Sequence, residues 1–508
     1  MKQTITLAGV PRSIVLDGWW LDAPVGSAAP PTPPDAAGTR SGGGRMPFVA
    51  GLLVLIGLAD LLFWGHGPGV SAALFAAAVF GVATGGMRPR RALIRPVVLL
   101  GAGAAPVVDH VQALSLAFLG AALVAALIWA RHPGARPGAL IGAALAFVMR
   151  LPARWLAPLR PRRIGGRARG LLLQQGHFRP APALRHQIRN WAFPLGGTLV
   201  FTALLMDANP LLARLFTLDL DLWATVQRGL FWAGTGLLVA PFLQPDLALE
   251  DAPHLPAVRR VPDLGINAGS VLRALVLFNL LIGLQMVADA SILIGGADLP
   301  AGMSYADYAH RGAYPLLATA MLAGSFALAA RPFLAEHRAI APLLLLWLGQ
   351  NVVLCAAAIL RLEVYIDAYG LTYLRVQALI WMMLVAAGLV LTAFQVLRGR
   401  DTVWLFLRAA ALGLVTLYLC SFVNFAQIVA VQNLRRERPD MGYVCALGQM
   451  AAGALAEART LRPALIAPDG HSCLAMVAPE MTSWQEWGFR RASVADKVAA
   501  TARPEQIG

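Results

Sequence analysis

The chain reads as an all-α protein: a polytopic helical integral membrane protein of about eleven transmembrane helices, with a small C-terminal extramembrane segment. Three observations predict this. Hydrophobic residues make up 58% of the chain and charged residues only 14%, whereas a soluble domain is nearer half apolar and a quarter charged. Apolar runs close to the length that crosses a hydrocarbon core of about 30 Å recur throughout. Arginine is concentrated in alternate loops, as the positive-inside rule describes for multi-pass proteins.

The N-terminal stretch lacks an apolar core long enough for a cleavable signal. Residues 1–45 predict a cytoplasmic tail, with one strand or hairpin around Ile5–Trp20 and a Pro/Gly/Ser-rich tether over 23–45. The helical membrane domain then occupies 46–434. Its spans are expected near 47–64, 70–86, 93–108, 111–130, 191–207, 223–243, 271–290, 313–330, 340–360, 376–397 and 403–424. Trp64, Trp129, Trp191, Trp223 and Trp404 sit at run ends, where amphipathic rings prefer the interface. Gly81 and Gly85 form a small-xxx-small pair, which reads as a close helix contact.

Charge orients the spans. Residues 131–190 hold twelve arginines and no Asp or Glu, and "MRPRRALIRP" at 87–96 holds four more, while the loops at 65–69 and 109–110 hold none. The N-terminus and the Arg-rich 131–190 segment are therefore expected to be cytoplasmic. Gly138–Met149 is too short to span, and Arg150, Arg154 and Trp155 follow it at helical spacing. It reads as an amphipathic helix lying in the inner interface. The net charge of +15 is then topology and affinity for anionic lipid headgroups. It is not a nucleic-acid footprint, since no groove-reading motif accompanies it. Eleven crossings of a bacterial inner membrane leave the C-terminus periplasmic, although "LRRERP" at 434–439 runs against the rule there.

Six of the eight tyrosines fall in "SYADYAHRGAYPL" (304–316) and "YIDAYGLTYLR" (365–375). Asp60, Asp289, Asp307, Tyr308, Arg311, Glu363, Asp367, Tyr369 and Arg375 all approach the outer face in the eleven-span order, as does Asp109. They form a candidate outer-face polar cluster. Asp307 and Arg311, like Tyr365 and Tyr369, are spaced i,i+4 and share a helix face. Two short interfacial helices would explain them as anchors; the other reading is the lining of an outward-facing cleft. Within the spans, Asn279 and Gln285 precede Asp289, and Gln350 and Asn351 are adjacent. Such intramembrane polar groups hydrogen-bond between helices or mark a site.

Residues 435–508 read as a C-terminal extramembrane segment. Short helices are expected over Asp440–Leu455 and Arg459–Ala467, a strand or turn at "WQEWGFRR", and no packed structure after about Val494. Cys445 and Cys473 are a candidate disulfide, which suits a small periplasmic segment.

"SYADYAHRGAYPLL", "YIDAYGLTYLRVQALIWMML", "SFVNFAQIVAVQNL", "DMGYVCALG" and "WQEWGFRRASV" occur in this order. The series resembles the bacterial polytopic membrane proteins of domain-of-unknown-function family 4173, related to family 4153, over roughly 190–490. "QIVAVQN" at 427–433 departs from that pattern. The resemblance implies a fold class and no activity.

There is no phosphate-binding loop, no Cys-x-x-Cys and no His-Glu-x-x-His. "GMSYA" at 302–306 lacks the last glycine of a nucleophile elbow. No histidine pairs with a second ligand at metal spacing. No catalytic residue, metal or cofactor is therefore assigned. The expectation is a non-enzymatic envelope scaffold, sensor or regulatory partner with a membrane or envelope protein partner. The alternatives are a transporter or lipid-handling protein, and a membrane-embedded transferase with an outer-face active site.

Overall fold

The computed structural model of the protein describes residues 48–87, 90–156, 222–243, 267–293, 305–462 and 476–502, with a few isolated positions that include Cys473. The described helices belong to one compact unit, 47–84 with 88–508. A second unit, 1–46 with 85–87, lies almost wholly outside the described residues. The expected N-terminal strand and tether, most of the 191–207 span and residues 463–470 also lie outside them.

Every regular element among the described residues is helical. Seven stretches are long and apolar enough to cross a membrane: Arg91–Asp109, Ala113–Arg131, Ala268–Ser291, Ala318–Ala335, Ile340–Tyr369, Tyr373–Arg398 and Thr402–Ser421. The architecture is that of an all-α polytopic membrane protein.

A first group of helices comprises α1 (Phe48–Phe63), α2 (Val70–Thr84), α3 (Ile94–Asp109), α4 (Ala113–Arg131), α5 (Pro137–Leu156) and α6 (Leu222–Leu243). Its tightest seam joins α3 to α4. A Cβ on Gly103 would lie 2.1 Å from the Ala122 Cβ and 2.9 Å from the Phe118 carbonyl oxygen, so only glycine permits this approach. Gly81 faces open space instead, which corrects its reading as the close-contact glycine.

The second group comprises α7 (Ala268–Leu293), α8 (Tyr305–Ala330), α9 (Ile340–Tyr369), α10 (Tyr373–Arg398) and α11 (Thr402–Ser421). Phe278, Phe326 and Trp347 meet ring to ring at 5.2–5.4 Å and lock α7, α8 and α9 together. Leu275, Ile340, Leu344 and Leu348 fill the same core. Leucines on the opposite faces, such as Leu281, Leu284 and Leu407, are more than 60% exposed. Apolar faces of that extent suit a hydrocarbon solvent.

Local signals set the breaks. Gly370 ends α9 with φ +84°, and the Thr372 side chain caps α10 through the Arg375 N–H. Asp401, Asn424 and Asp440 accept from backbone N–H groups in the same way at the starts of α11, α12 (Phe425–Leu434) and α13 (Met441–Ala446). Helices α12, α13, α14 (Ala452–Leu461) and α15 (Phe489–Ala502) form a cap. Cys445 and Cys473 are joined by a disulfide within it. Helix α15 continues through Ala502, which corrects the expectation of unpacked chain after Val494. It holds because Arg490 and Val494 are buried.

The cap sits on one end of the bundle. It touches the α1–α2 turn, the end of α3, the α9–α10 turn and the end of α11. Helix α4 ends at the far end of the bundle and α6 begins at the capped end, and helix α5 does not cross the bundle between them. Running inward from Pro137, its Phe147 would lie about 15 Å along the helix axis. Yet Phe147 packs at 5.5 Å against Phe242, in the last turn of α6, and Arg131 also reaches the Phe242 carbonyl. Helix α5 therefore lies across the far end.

The two Tyr-rich stretches are not separate interfacial helices. Tyr305–Ala330 and Ile340–Tyr369 are each continuous. Leu362 and Ile366 are buried against the cap's core, so burial carries the α9 pattern straight through Tyr369.

Candidate functional site

Helices α7 and α9 run parallel and share a buried polar seam. The Asn279 side chain donates to the Leu275 carbonyl at 2.7 Å and the Leu343 carbonyl at 3.1 Å. Gln350 donates to the Asn279 carbonyl at 3.2 Å. Nearer the capped end, Arg361 forms an ion pair with Asp289, each side chain only 6% exposed. Gln285 donates to the same carboxylate oxygen at 2.8 Å. Asn279 Oδ1, Gln350 Oε1 and Asp289 Oδ2 are buried without a hydrogen-bond partner among the described residues. A charged pair flanked by incompletely paired amides is costly inside an apolar bundle, and this seam is the strongest candidate site.

A second ion pair lies in the first group. Arg228 of α6 donates to both carboxylate oxygens of Asp60, and the Trp232 indole donates to Asp60 Oδ1 at 2.8 Å. The guanidinium also lies 5.7 Å from the ring centres of Trp64 and Trp232. The pair fastens α1 to α6.

At the capped end, charge meets backbone. Tyr365 and Tyr369 touch at 5.0 Å between ring centres, and Arg375 stacks over the Tyr365 ring at 4.2 Å while donating to the Gly370 carbonyl. Arg436 donates to the carbonyls of Ile366, Asp367 and Ala368 at 3.1, 2.6 and 2.6 Å. The Asp367 and Ala368 carbonyls are terminal acceptors of α9 with no partner within the helix, whereas that of Ile366 also takes the Gly370 N–H at 2.7 Å. Asn433 exchanges two bonds of 2.7 Å with the Leu371 backbone. Arg462 donates to the Leu434 and Arg436 carbonyls. Of the arginines in "LRRERP", Arg436 thus caps the end of α9, while Arg435 and Arg438 are exposed.

The cap is further fixed by Arg490, which pairs with Asp109 and donates to the Ser421 carbonyl at 2.7 Å. Glu486 accepts from the Gly67 N–H at 2.9 Å, and that bond, against the cost of burial, holds its carboxyl below the usual range, with Thr482 and Arg491 helping. Burial pushes the His110 imidazole below its ordinary value, aided by the charge of Arg490 and opposed by Asp109.

Of the nine expected cluster residues, the six whose side chains are described fall into separate local arrangements. Asp60 pairs across the first group, and Asp289 across the second. Tyr369 and Arg375 belong to the α9–α10 turn, and Glu363 and Asp367 are exposed. Asp307, Tyr308 and Arg311 lie on the first turns of α8, with side chains outside the described residues. No group of three metal-ligating side chains occurs among the described residues. Arg361, Arg228, Arg436 and Arg490 were not singled out by sequence reasoning. Their partners lie 68–381 positions away, beyond any local spacing signal.

Neither a curated protein nor a solved structure matches the chain. The family described as Domain of unknown function (DUF4153) matches residues 94–458, the related family 4173 being unsupported. That match takes in every described helix from α3 to α13, including both halves of the α7–α9 seam and the clamped α9–α10 turn, and the chain belongs to the DUF4153 family.

Proposed function

We propose that the protein is a multi-pass inner-membrane protein of the bacterial envelope that acts as a scaffold or regulatory partner rather than as an enzyme. The observation that carries this reading is the way polar side chains at the capped end are used. Arg436, Asn433, Arg462, Glu486 and Arg490 bind backbone groups or close an ion pair, which builds a rigid platform over the bundle. Arg91, Arg95, Arg131, Arg136, Arg331, Arg338, Arg398 and Arg400 gather at the far end, which supports a cytoplasmic far end and a periplasmic cap. The Cys445–Cys473 bridge suits that compartment. The arginines of the far end also suit anionic headgroups.

Photo-crosslinking from exposed cap positions Glu437 and Glu457 in living cells, followed by purification in mild detergent, tests the reading. One recurring envelope protein joined at both positions is the expected result. A chain that stays solitary at native abundance would overturn it.

The α7–α9 seam favours a second reading, the handling of a small polar solute or ion. Unpaired acceptors at Asn279, Gln350 and Asp289 line two levels of the bundle. Asp289→Asn would then change solute flux in proteoliposomes while the cap's crosslinks persist. Unchanged flux across cations, protons and amino acids would remove this reading.

A further inference from the structure

We infer that the aromatic segment of the cap, Trp484 to Phe489, lies within the membrane interface and completes the apolar thickness above the short helix α2. The inference rests on the membrane placement of the bundle proposed above.

Helix α2 has 15 residues, which at 1.5 Å per residue is about 22 Å, against a hydrocarbon core of about 30 Å. The shortfall lies at one end or is divided between both. At the capped end a specific segment occupies that level. The turn Trp484–Glu486 packs on the start of α2, the Val70 N–H donates to the Trp487 carbonyl at 2.8 Å, and the Gly67 N–H donates to Glu486. A Cβ on Gly69 would lie 2.4 Å from the Glu486 carbonyl carbon, so the two backbones are in direct contact. Gln485 points inward, only 6% exposed, and reaches the Leu61 carbonyl at 3.5 Å.

The large apolar side chains of this segment point the other way. Trp484 is 56% exposed and Phe489 62%, with Trp487 between them at 39%. Leu61 of α1, whose carbonyl Gln485 reaches, is itself 62% exposed. Trp487 and Phe489 line one hollow with Ala492, Asp496, Lys497 and Ala500. Two exposed indoles and a phenyl ring, with a lysine and an aspartate beside them, match the chemistry of a zwitterionic phospholipid headgroup region. The occupant of this surface is the outer leaflet. Over α2 the protein thus meets a mismatch with its own aromatic rim instead of thinning the bilayer.

The test uses the full chain in phosphatidylglycerol/phosphatidylethanolamine proteoliposomes. Emission of the native protein is compared with that of a Trp484→Phe/Trp487→Phe double variant, with bromine on the lipid chains near the headgroup and with aqueous iodide. The emission lost in the double variant is expected to be quenched by the brominated lipid and spared by iodide. Phe489→Trp in the native background should add emission of the same kind, and it keeps the test open should the double variant not fold. Quenching by iodide alone would overturn the inference. If Trp381 of α10, 49% exposed, and the other span tryptophans were still quenched by the lipid, the membrane reading would survive that result. Loss of lipid quenching throughout would overturn both.

Discussion

Arg490 and Asp109, 381 positions apart, close an ion pair that joins the last helix of the cap to the end of α3. The same guanidinium donates to the Ser421 carbonyl at the end of α11. One side chain thereby ties the first helical group, the second group and the cap. The side chains are 9% and 14% exposed, so removing one partner leaves the other poorly solvated. Arg490→Met should cost roughly 3 kcal/mol of cap docking. Adding Asp109→Asn should restore part of it. Hydrogen exchange of α15 in detergent or nanodiscs measures both, and equal protection in all three proteins would contradict the assignment.

Gly69→Ala should loosen the same contact by a different route. Its Cβ would overlap the backbone of Glu486 and Gln485 at 2.4–2.7 Å, and backbone cannot rotate away as a side chain can. A penalty of about 1–3 kcal/mol is expected for such overpacking. It should appear as faster proteolysis of the 484–502 segment, with the α7–α9 core unchanged. Gly81→Ala, facing open space, is the matched control and should be near neutral.

Acid should release the cap. Both shifted groups at this contact, His110 and Glu486, have pKa values lowered by folding. The unfolded or undocked state therefore binds more protons, and stability falls as pH falls. The loss should begin as pH drops through about 6.5, the unperturbed histidine value, and deepen below about 4.3, the unperturbed glutamate value. Exchange protection of α15 at pH 7.5, 5.5 and 3.5 follows this directly. Protection that rises on acidification would refute the direction.

In the second group, Arg361→Met should be more damaging than Arg361→Lys, because it leaves Asp289 buried and uncompensated. The expected cost is about 3–5 kcal/mol, read as a lower melting temperature of the purified protein. Asp289→Asn/Arg361→Met should recover much of it. A single-variant melting temperature equal to that of the native chain would show that the pair carries little of the α7–α9 packing.

Much of the helical plan was legible because hydropathy and helix punctuation are local. "YGLTY" holds the Gly370 stop and the Thr372 cap two positions apart, and "NFAQ" and "DMGY" hold two more caps. The Tyr365–Tyr369 contact follows from i,i+4 spacing. The continuity of α9 was not legible, since burial of Leu362 and Ile366 depends on a cap that lies some seventy positions away. The ion pairs were hidden for the same reason. Asp60 and Asp289 could be noted as unusual within apolar runs, yet nothing near them names Arg228 or Arg361 as the partner.

On the proposed reading, the capped end faces the periplasm and the Arg-rich end the cytoplasm. Single cysteines at Asp367 on the capped end and Arg338 on the far end test it, in a chain whose free Cys355 and Cys420 are replaced by alanine. A membrane-impermeant thiol reagent applied to intact cells should modify position 367 and spare 338, with 338 becoming reactive once the cells are opened. Modification of 338 with protection of 367, or equal modification of both in intact cells, would contradict the account.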